Sequence, residues 1–208
     1  IDKGWFGQID TIQCNVFWTR SQSYYDQDDW RGTWEYDGGA LMNQASHYID
    51  LLEWLGGPVE CVQAMMATQA RHIEVEDTAV INMKYRRGAL GSMTVSMLTY
   101  PKNLEGSITI LGEKGSVKVG GVALNKFEHW DFETDESPSL SEVNDVNYDT
   151  DSVYGNGHLP YYQNVIAALE SSSKAIANGR EGLRSLELLI ASYRSSQTKQ
   201  SVYLPLEL

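Results

Sequence analysis

The chain has 208 residues, is 42% hydrophobic and carries a formal net charge of -12 at pH 7. This length can bury a full core and predicts a single domain, residues 1–208. With 16 Lys and Arg against 28 Asp and Glu and no long basic block, the sequence argues against a nucleic-acid partner. Its apolar stretches are short and interrupted by charge, so no membrane span is predicted.

The two cysteines and the first residues bear on where the protein works. Cys14 and Cys61 both lie in alternating apolar runs, where reduced core thiols are commoner than a disulfide. Residues 1–4, Ile-Asp-Lys-Gly, lack the basic and apolar regions of a secretory signal. We therefore expect a cytoplasmic protein, and because the chain starts without Met, we expect a fragment or a processed product.

A strand and a long aromatic loop open the chain. Residues 8–19 alternate β-branched, aromatic and polar side chains with period two, which predicts a β-strand. Residues 21–37 are polar and aromatic and predict a loop. Within this loop, Tyr24, Tyr25, Trp30 and Arg31 are the amphipathic and guanidinium groups that bind sugars and anions. The alternative is that these side chains only cover the open end of a sheet.

The most informative segment is residues 36–55, Y-D-G-G-A-L-M-N-Q-A-S-H-Y-I-D-L-L-E-W-L. Apolar residues recur there at helical spacing, which predicts a helix with one face in the core. Asn43 and His47 are four apart on another face, so their side chains would project together. Histidine exchanges protons near neutrality, and a neighbouring amide can fix its tautomer. This pair is the catalytic candidate, with a structural histidine as the alternative.

The rest of the chain predicts mainly hairpins. Strand patterns cover residues 59–68, 78–85, 90–98, 107–111, 116–119 and 122–132, helical patterns cover 161–177 and 182–198, and 201–206 is strand-like. Short glycine-containing connections predict antiparallel neighbours, hence an α+β fold with a large, mostly antiparallel, open-faced sheet and helices packed on one face. We place an apolar outer face, suited to association, on alternate residues Met83, Tyr85, Met93, Val95 and Met97.

Motifs for cofactors and metals are missing from the sequence. Gly155-Asn156-Gly157 is followed by Pro160 where a dinucleotide fingerprint needs its third glycine. The four histidines are scattered, and there is no C-x-x-C. Residues 128–151 hold nine Asp or Glu and no Lys or Arg, which predicts a solvated loop. The alternative is a Ca²⁺ site at Asp145, Asp149 and Asp151, which would lack the Gly and bidentate Glu of an EF-hand.

These motifs in this order resemble a known family. The strand, the W-R-G-T-W loop, the D-G-G-A-L-M-N-Q-A-S-H-Y-I-D-L-L helix and the antiparallel sheet are similar to the C-terminal domain of the glucose-fructose oxidoreductase/inositol dehydrogenase family, Gfo/Idh/MocA. With Y-P-K-N-L-E-G-S at 100–107 and Y-G-N-G-H at 154–158, the resemblance is greatest to the branch of UDP-N-acetylglucosaminuronic acid 3-dehydrogenases. The likeness covers nearly the whole chain.

The resemblance implies one half of a two-domain enzyme, with its N-terminal Rossmann domain outside this chain. The match to the family's helix histidine is His47, and the position four before it, often Asp in the family, is Asn43. The family's catalytic lysine lies in a Glu-Lys-Pro motif that this chain lacks. The similar Glu113-Lys114-Gly115 is expected to form a hairpin turn and is not that motif. The implied substrate contacts are Tyr24, Tyr25, Trp30 and Arg31, with Asn103 and His158 as further candidates.

The resemblance also implies a function. The domain would bind the substrate and form oligomers in an NAD-dependent dehydrogenase that oxidises a sugar hydroxyl, expected at C3 of a UDP-N-acetylhexosaminuronate. NAD is expected in the full-length enzyme, whereas the isolated domain is expected to bind no cofactor or metal and to be inactive. The expected partners are the nucleotide sugar and further copies of the chain, forming a dimer or tetramer through the sheet face. The alternative is a non-catalytic sheet domain for assembly or small-ligand sensing.

Overall fold

A computed structural model describes residues 1–150, 155–171 and 173–207. Asp151 and Tyr154, which belong to sequence motifs above, lie outside the described residues. The strands are β1 Ile9–Phe17, β2 Val59–Ala67, β3 Thr78–Tyr85, β4 Leu90–Ser96, β5 Glu105–Gly112, β6 Gly115–Gly120, β7 Lys126–Phe132 and β8 Val202–Tyr203. The helices are α1 Gln22–Tyr25, α2 Ser46–Gly56, α3 Leu140–Asn144, α4 His158–Ser171 and α5 Gly179–Thr198, and a π-helical turn, Ala40–Gln44, precedes α2.

The strands form one eight-stranded sheet in the order β7-β6-β5-β1-β4-β3-β2-β8. The predicted hairpins are confirmed, with β3 antiparallel to β4 and β5 antiparallel to β6. The first strand breaks the sequential pattern, because β1 is inserted between β4 and β5 and runs parallel to β4. The predicted fold class, α+β with a mostly antiparallel sheet, is confirmed.

Two helices cover one face of the sheet and form the core with it. Their fully or nearly buried side chains are Tyr48, Ile49 and Leu52 from α2 and Leu188, Leu189 and Ala191 from α5. The Tyr85 hydroxyl donates to the Leu52 carbonyl at 3.2 Å, which ties β3 to α2. Burial of each large aliphatic side chain contributes about 1.5–3 kcal/mol. The helix predicted around His47 is therefore anchored through its apolar face, which leaves its polar face open.

The prediction of an apolar outer face is wrong. Met83, Tyr85, Met93, Val95 and Met97 are all buried in the core beneath the helices. The open face instead carries the alternating partners Val80, Asn82, Lys84, Ser92 and Thr94. Strand periodicity correctly grouped the apolar residues on one face, but α2 and α5 cover that same face. Association through the sheet stays a prediction, and it would have to use the polar face.

Several boundaries differ from the sequence prediction. The helix predicted within 36–55 is divided into the π-helical turn and α2, and the helix predicted at 161–177 spans His158–Ser171. The strand predicted at 122–132 begins only at Lys126, because Gly121 and Leu124 adopt positive φ angles of 88° and 53° in the preceding turn. Both cysteines are free, as predicted. No helix within the described ranges is long and apolar enough to cross a membrane.

Candidate active site

The candidate site begins where β1 and β4 end at the same edge of the sheet. Beyond β1, Trp18 N still donates to the Ser96 carbonyl at 2.9 Å. On the other side, Thr19 N donates to Oδ1 of Asn103 at 2.8 Å. The backbone leading from Trp18 to Arg20 is thus held between two neighbouring segments. These bonds fix the directions in which the Trp18 and Arg20 side chains leave the sheet.

The π-helical turn Ala40–Gln44 changes the helix register next to this edge. Its closing hydrogen bond runs from Ala45 N to the Ala40 carbonyl at 3.0 Å, across five residues instead of four. Asn43 therefore belongs to the turn, whereas His47 lies in the first turn of α2. The simple neighbour relation of residues four apart on one helix does not hold for this pair.

The side chain of Asn43 is held by hydrogen bonds to neighbouring residues of the loop and the π-helical turn. Its Nδ2 donates to the Asp37 carboxylate, and its Oδ1 accepts from Nε2 of Gln44 at 2.6 Å. The same Nε2 donates to the Tyr24 hydroxyl at 3.1 Å. These bonds link the turn to the aromatic loop rather than directing the amide of Asn43 to the imidazole of His47.

A buried pair of side chains supports the π-helical turn from behind. Oε1 of Glu76 accepts from Leu41 N and from the Tyr193 hydroxyl, both at 2.8 Å. The Tyr193 hydroxyl in turn accepts from Gly39 N at 3.4 Å. Burial raises the pKa of Glu76, an effect that the two accepted hydrogen bonds oppose. Glu76 and Tyr193 thereby fix the backbone on which Asn43 is carried.

His47 packs beside two aromatic rings, which also contact each other. Its ring centroid is 5.8 Å from that of Trp18 at an interplanar angle of 30°, and 4.7 Å from that of Tyr48. Desolvation against these rings lowers the pKa of His47. This shift favours the neutral imidazole, which is the form that can accept a proton from a bound hydroxyl group.

Cationic and aromatic side chains form another wall. The Arg31 guanidinium lies over the rings of Tyr24 and Trp30, at 4.3 Å and 4.8 Å from their centroids. Its Nε pairs with the Asp28 carboxylate at 2.8 Å. Tyr25 is buried behind this wall and packs edge-on against Tyr24, with ring centroids 5.1 Å apart. The wall offers both an aromatic surface and a positive charge.

These walls enclose an open cavity of about 930 Å³, a volume suited to a ligand of nucleotide-sugar size. Six residues selected from the sequence line it, namely Tyr24, Trp30, Arg31, Asn43, His47 and His158. Tyr25 and Asn103 contribute differently in the described structure, since Tyr25 packs behind Tyr24 and Asn103 holds the end of β1. The cavity therefore brings together most, but not all, of the predicted site residues.

Sequence reasoning missed several residues of the cavity. Trp18, Thr19, Arg20, Ser21, Gln44 and Gly157 also line it. Trp18 and Thr19 end the predicted strand and Arg20 and Ser21 follow it directly. Strand ends at one edge of a sheet commonly supply site residues. The position of these four residues at the end of a strong strand pattern was the signal that could have identified them.

The ligand groups and glycine turns among the described residues bear on metal and dinucleotide binding. Within residues 1–150, 155–171 and 173–207, no group of three or more His, Cys, Asp or Glu could hold a metal ion. In the acidic segment, the Asp149 carboxylate pairs with Lys126 at 2.8 Å. The glycine turns at 112–115 and 120–121 join antiparallel strands, whereas a dinucleotide cradle joins a strand to a helix. These glycine turns therefore lack the strand-to-helix setting of a dinucleotide cradle.

Comparison with protein-family models identifies the family of this chain. Residues 1–205 match the family described as "Oxidoreductase family, C-terminal alpha/beta domain", GFO_IDH_MocA_C. The chain therefore belongs to the Gfo/Idh/MocA oxidoreductase family and corresponds to its C-terminal domain.

Solved structures place the chain within that family. It is 56% identical, with a TM-score of 0.94, to the WlbA dehydrogenase from Bordetella pertussis in complex with NADH and UDP-GlcNAcA, covering 99% of this chain and 59% of that one. It is 57% identical, with a TM-score of 0.89, to WlbA from Chromobacterium violaceum in complex with the same two molecules, covering 100% and 58%. Levoglucosan dehydrogenase, at 17% identity and a TM-score of 0.80, shares the fold, with coverage of 99% and 61%. The chain thus spans about three fifths of the length of these relatives.

Proposed function

We propose that this chain is the substrate-binding domain of an NAD-dependent dehydrogenase that oxidises the C3 hydroxyl of a UDP-N-acetylhexosaminuronate. The main observation in its favour is His47, whose imidazole packs beside Trp18 and Tyr48 and lines a cavity of about 930 Å³. The similarity to two WlbA dehydrogenases in complex with NADH and UDP-GlcNAcA supports the same substrate class.

In the proposed reaction, the hydrogen on C3 leaves with its electron pair and the hydroxyl proton passes to a ring nitrogen of His47. The C–O single bond becomes a carbonyl, so the alcohol is oxidised to a ketone. The hydride would go to NAD⁺, which a nucleotide-binding domain outside this chain would hold and which would be reduced to NADH. His47 then releases its proton to water from the open side of the cavity. General-base assistance of this kind contributes about 10²- to 10⁴-fold in rate.

The other residues of the cavity are assigned to binding. The Tyr24 and Trp30 rings offer faces on which a sugar or base can stack, and Arg31 adds positive charge for the diphosphate. Asn43 and His158, on different walls, are placed to meet the sugar. We assign supporting roles to Tyr25, which backs Tyr24, and to Asn103, which holds the end of β1.

A non-catalytic domain for assembly or ligand sensing is the alternative. It gives no reason for an imidazole with a lowered pKa to line a cavity that is also lined by two arginines. Assembly is compatible with catalysis, and we propose that the polar open face of the sheet joins copies of the chain into a homo-oligomer. A cytoplasmic location, where reduced thiols and NAD⁺ coexist, is part of the same proposal.

The test is His47→Asn in the complete enzyme that contains this chain, with NADH formation from UDP-GlcNAcA followed by absorbance. We expect kcat to fall by about 10²- to 10⁴-fold with a small change in KM, because the base is lost and the cavity is kept. The wild-type rate should fall as pH drops through a His47 pKa lying below 6.5, and the variant should lose this limb.

A matched control is His129→Asn. His129 lies on β7, where its ring is hydrogen-bonded to the Ser116 hydroxyl at 2.7 Å, away from the cavity. This variant is expected to keep wild-type turnover. Unchanged turnover in His47→Asn would remove His47 from the mechanism, and a wild-type enzyme that forms no NADH from UDP-GlcNAcA would overturn the proposed function.

A further inference from the structure

The two arginines of the cavity differ in how their charges are satisfied. Arg31 is paired with the Asp28 carboxylate at 2.8 Å. Among the ion pairs of the described residues, none includes Arg20. Its Nη1 donates to the Thr19 carbonyl at 2.8 Å, while its Nε is buried without a hydrogen-bond partner. In a chain with 28 Asp and Glu, an arginine left in this state is poised for an external anion.

Arg20 is also the arginine nearer to the reacting end of the cavity. Its guanidinium lies 5.4 Å from the ring centroid of Trp18 and 5.3 Å from that of Tyr24. Trp18 is in turn the ring that packs against His47. Trp18 therefore contacts both the guanidinium of Arg20 and the imidazole of His47, whereas Arg31 packs on Tyr24 and Trp30.

We propose that Arg20 binds the carboxylate of the hexuronate and makes the site selective for uronic acids over the corresponding neutral sugars. This inference rests on the proposed function. A planar guanidinium matches the two oxygens of a carboxylate, and packing against Trp18 and Tyr24 pre-orders the long side chain. The carboxylate and the C3 hydroxyl belong to the same sugar ring, so one ligand can meet Arg20 and His47 together. Arg31 is then left to the diphosphate.

The experiment compares Arg20→Gln with wild type in the complete enzyme. The quantities are the KM for UDP-GlcNAcA and the inhibition constants of UDP-GlcNAc, which has an alcohol in place of the carboxylate, and of UDP. We expect the KM for UDP-GlcNAcA to rise about 10- to 100-fold, the range for losing a hydrogen bond between charged groups, while both inhibition constants stay unchanged. Arg20→Lys keeps the positive charge but not the planar guanidinium that donates two parallel hydrogen bonds. We expect its KM for UDP-GlcNAcA to lie between those of the wild type and Arg20→Gln.

Controls separate binding from structure. Arg20 also has a backbone role, because its carbonyl accepts from Nε of Arg71 at 2.6 Å, so unfolding by urea is compared for every variant. Arg194→Gln, at an exposed position of α5, is the matched control and should leave all three constants unchanged. If Arg20→Gln does not fold, the selectivity of Arg20→Lys decides the question.

Each contrary outcome has a distinct meaning. Weaker inhibition by UDP as well as by UDP-GlcNAc would assign Arg20 to the diphosphate and overturn the inference. An equal loss with both sugars and unchanged UDP inhibition, or no loss at all, would overturn it too. These results leave the proposed function intact, provided that the wild-type enzyme oxidises UDP-GlcNAcA. A wild-type enzyme without that activity overturns both.

Discussion

Removal of the Tyr193 hydroxyl, by Tyr193→Phe, is expected to loosen the π-helical turn that carries Asn43. The hydroxyl donates to Oε1 of Glu76 at 2.8 Å and accepts from Gly39 N and Met42 N at 3.4 Å and 3.3 Å. Phenylalanine keeps the ring and its packing but removes all three bonds. The change therefore isolates the polar support of the turn.

The magnitude follows from the partners of the hydroxyl. A hydrogen bond to a charged group is worth about 1.5–3 kcal/mol, and the two longer bonds to backbone amides add little. Glu76 is only 4% exposed, and its Oε2 has no hydrogen-bond partner among the described residues, so water cannot easily replace the hydroxyl. We expect a loss of about 2–3 kcal/mol in the free energy of unfolding. For a chain of this size that loss corresponds to a fall in Tm of about 4 to 12 °C.

Urea unfolding of the 208-residue chain, followed by circular dichroism, measures this loss. Tyr203→Phe is the matched control, because Tyr203 is 66% exposed, and it should change the free energy of unfolding by less than about 0.5 kcal/mol. A double-mutant cycle with Glu76→Ala should give a coupling energy above about 1 kcal/mol. If Tyr193→Phe is no more destabilising than its control, the Glu76–Tyr193 pair does not hold the turn.

Two further predictions concern the same support. Gly39→Ala would place a Cβ 1.9 Å from Oε2 of Glu76, so we expect a loss of about 1–3 kcal/mol in urea unfolding. Gly179→Ala, where a Cβ meets nothing within 4 Å, should cause no loss, and equal midpoints for the two variants would contradict the steric argument. Because burial raises the pKa of Glu76 above 4.5, the native state binds its proton more tightly than the unfolded state, and stability should fall as pH rises from 4.5 through the raised pKa. Glu76→Gln should lack this part of the decline. Identical pH profiles of the unfolding free energy for wild type and Glu76→Gln would refute this prediction.

The strands and helices were predictable because their signals are local. Alternation along β3 and β4 and the glycine turn between β5 and β6 define hairpins whose strands are also neighbours in the sheet. Which face of the sheet the helices cover was not predictable. Periodicity places Met83 and Met93 on one face but does not show what packs on that face. That choice depends on contacts between segments far apart in the sequence, such as the bond from Tyr85 to Leu52.

The candidate site was predictable where one segment carries the chemistry. His47 and Asn43 stand out within a single amphipathic pattern, and both line the cavity. The relation between them was not predictable, because a π-helical turn adds one residue without disturbing the apolar spacing that buries Leu41 and Ala45. Its stability depends on Glu76 and Tyr193, which are distant in the sequence and carry no motif.

The cavity residues at the end of β1 were missed because the position of β1 in the sheet was not predicted. Sequence neighbours suggested antiparallel hairpins throughout, yet β1 runs parallel to β4, in register from Thr11 opposite Leu90 to Phe17 opposite Ser96. Parallel strands bring both carboxyl ends to the same edge of a sheet, and there the bond from Trp18 N to the Ser96 carbonyl extends the pairing beyond both strands. With β1 in any other place or direction, Trp18 would not reach the ring of His47, and Arg20 would not lie beside Tyr24. The parallel pair is thus the feature of the fold that places a helix histidine and an arginine, which forms no ion pair among the described residues, in one cavity.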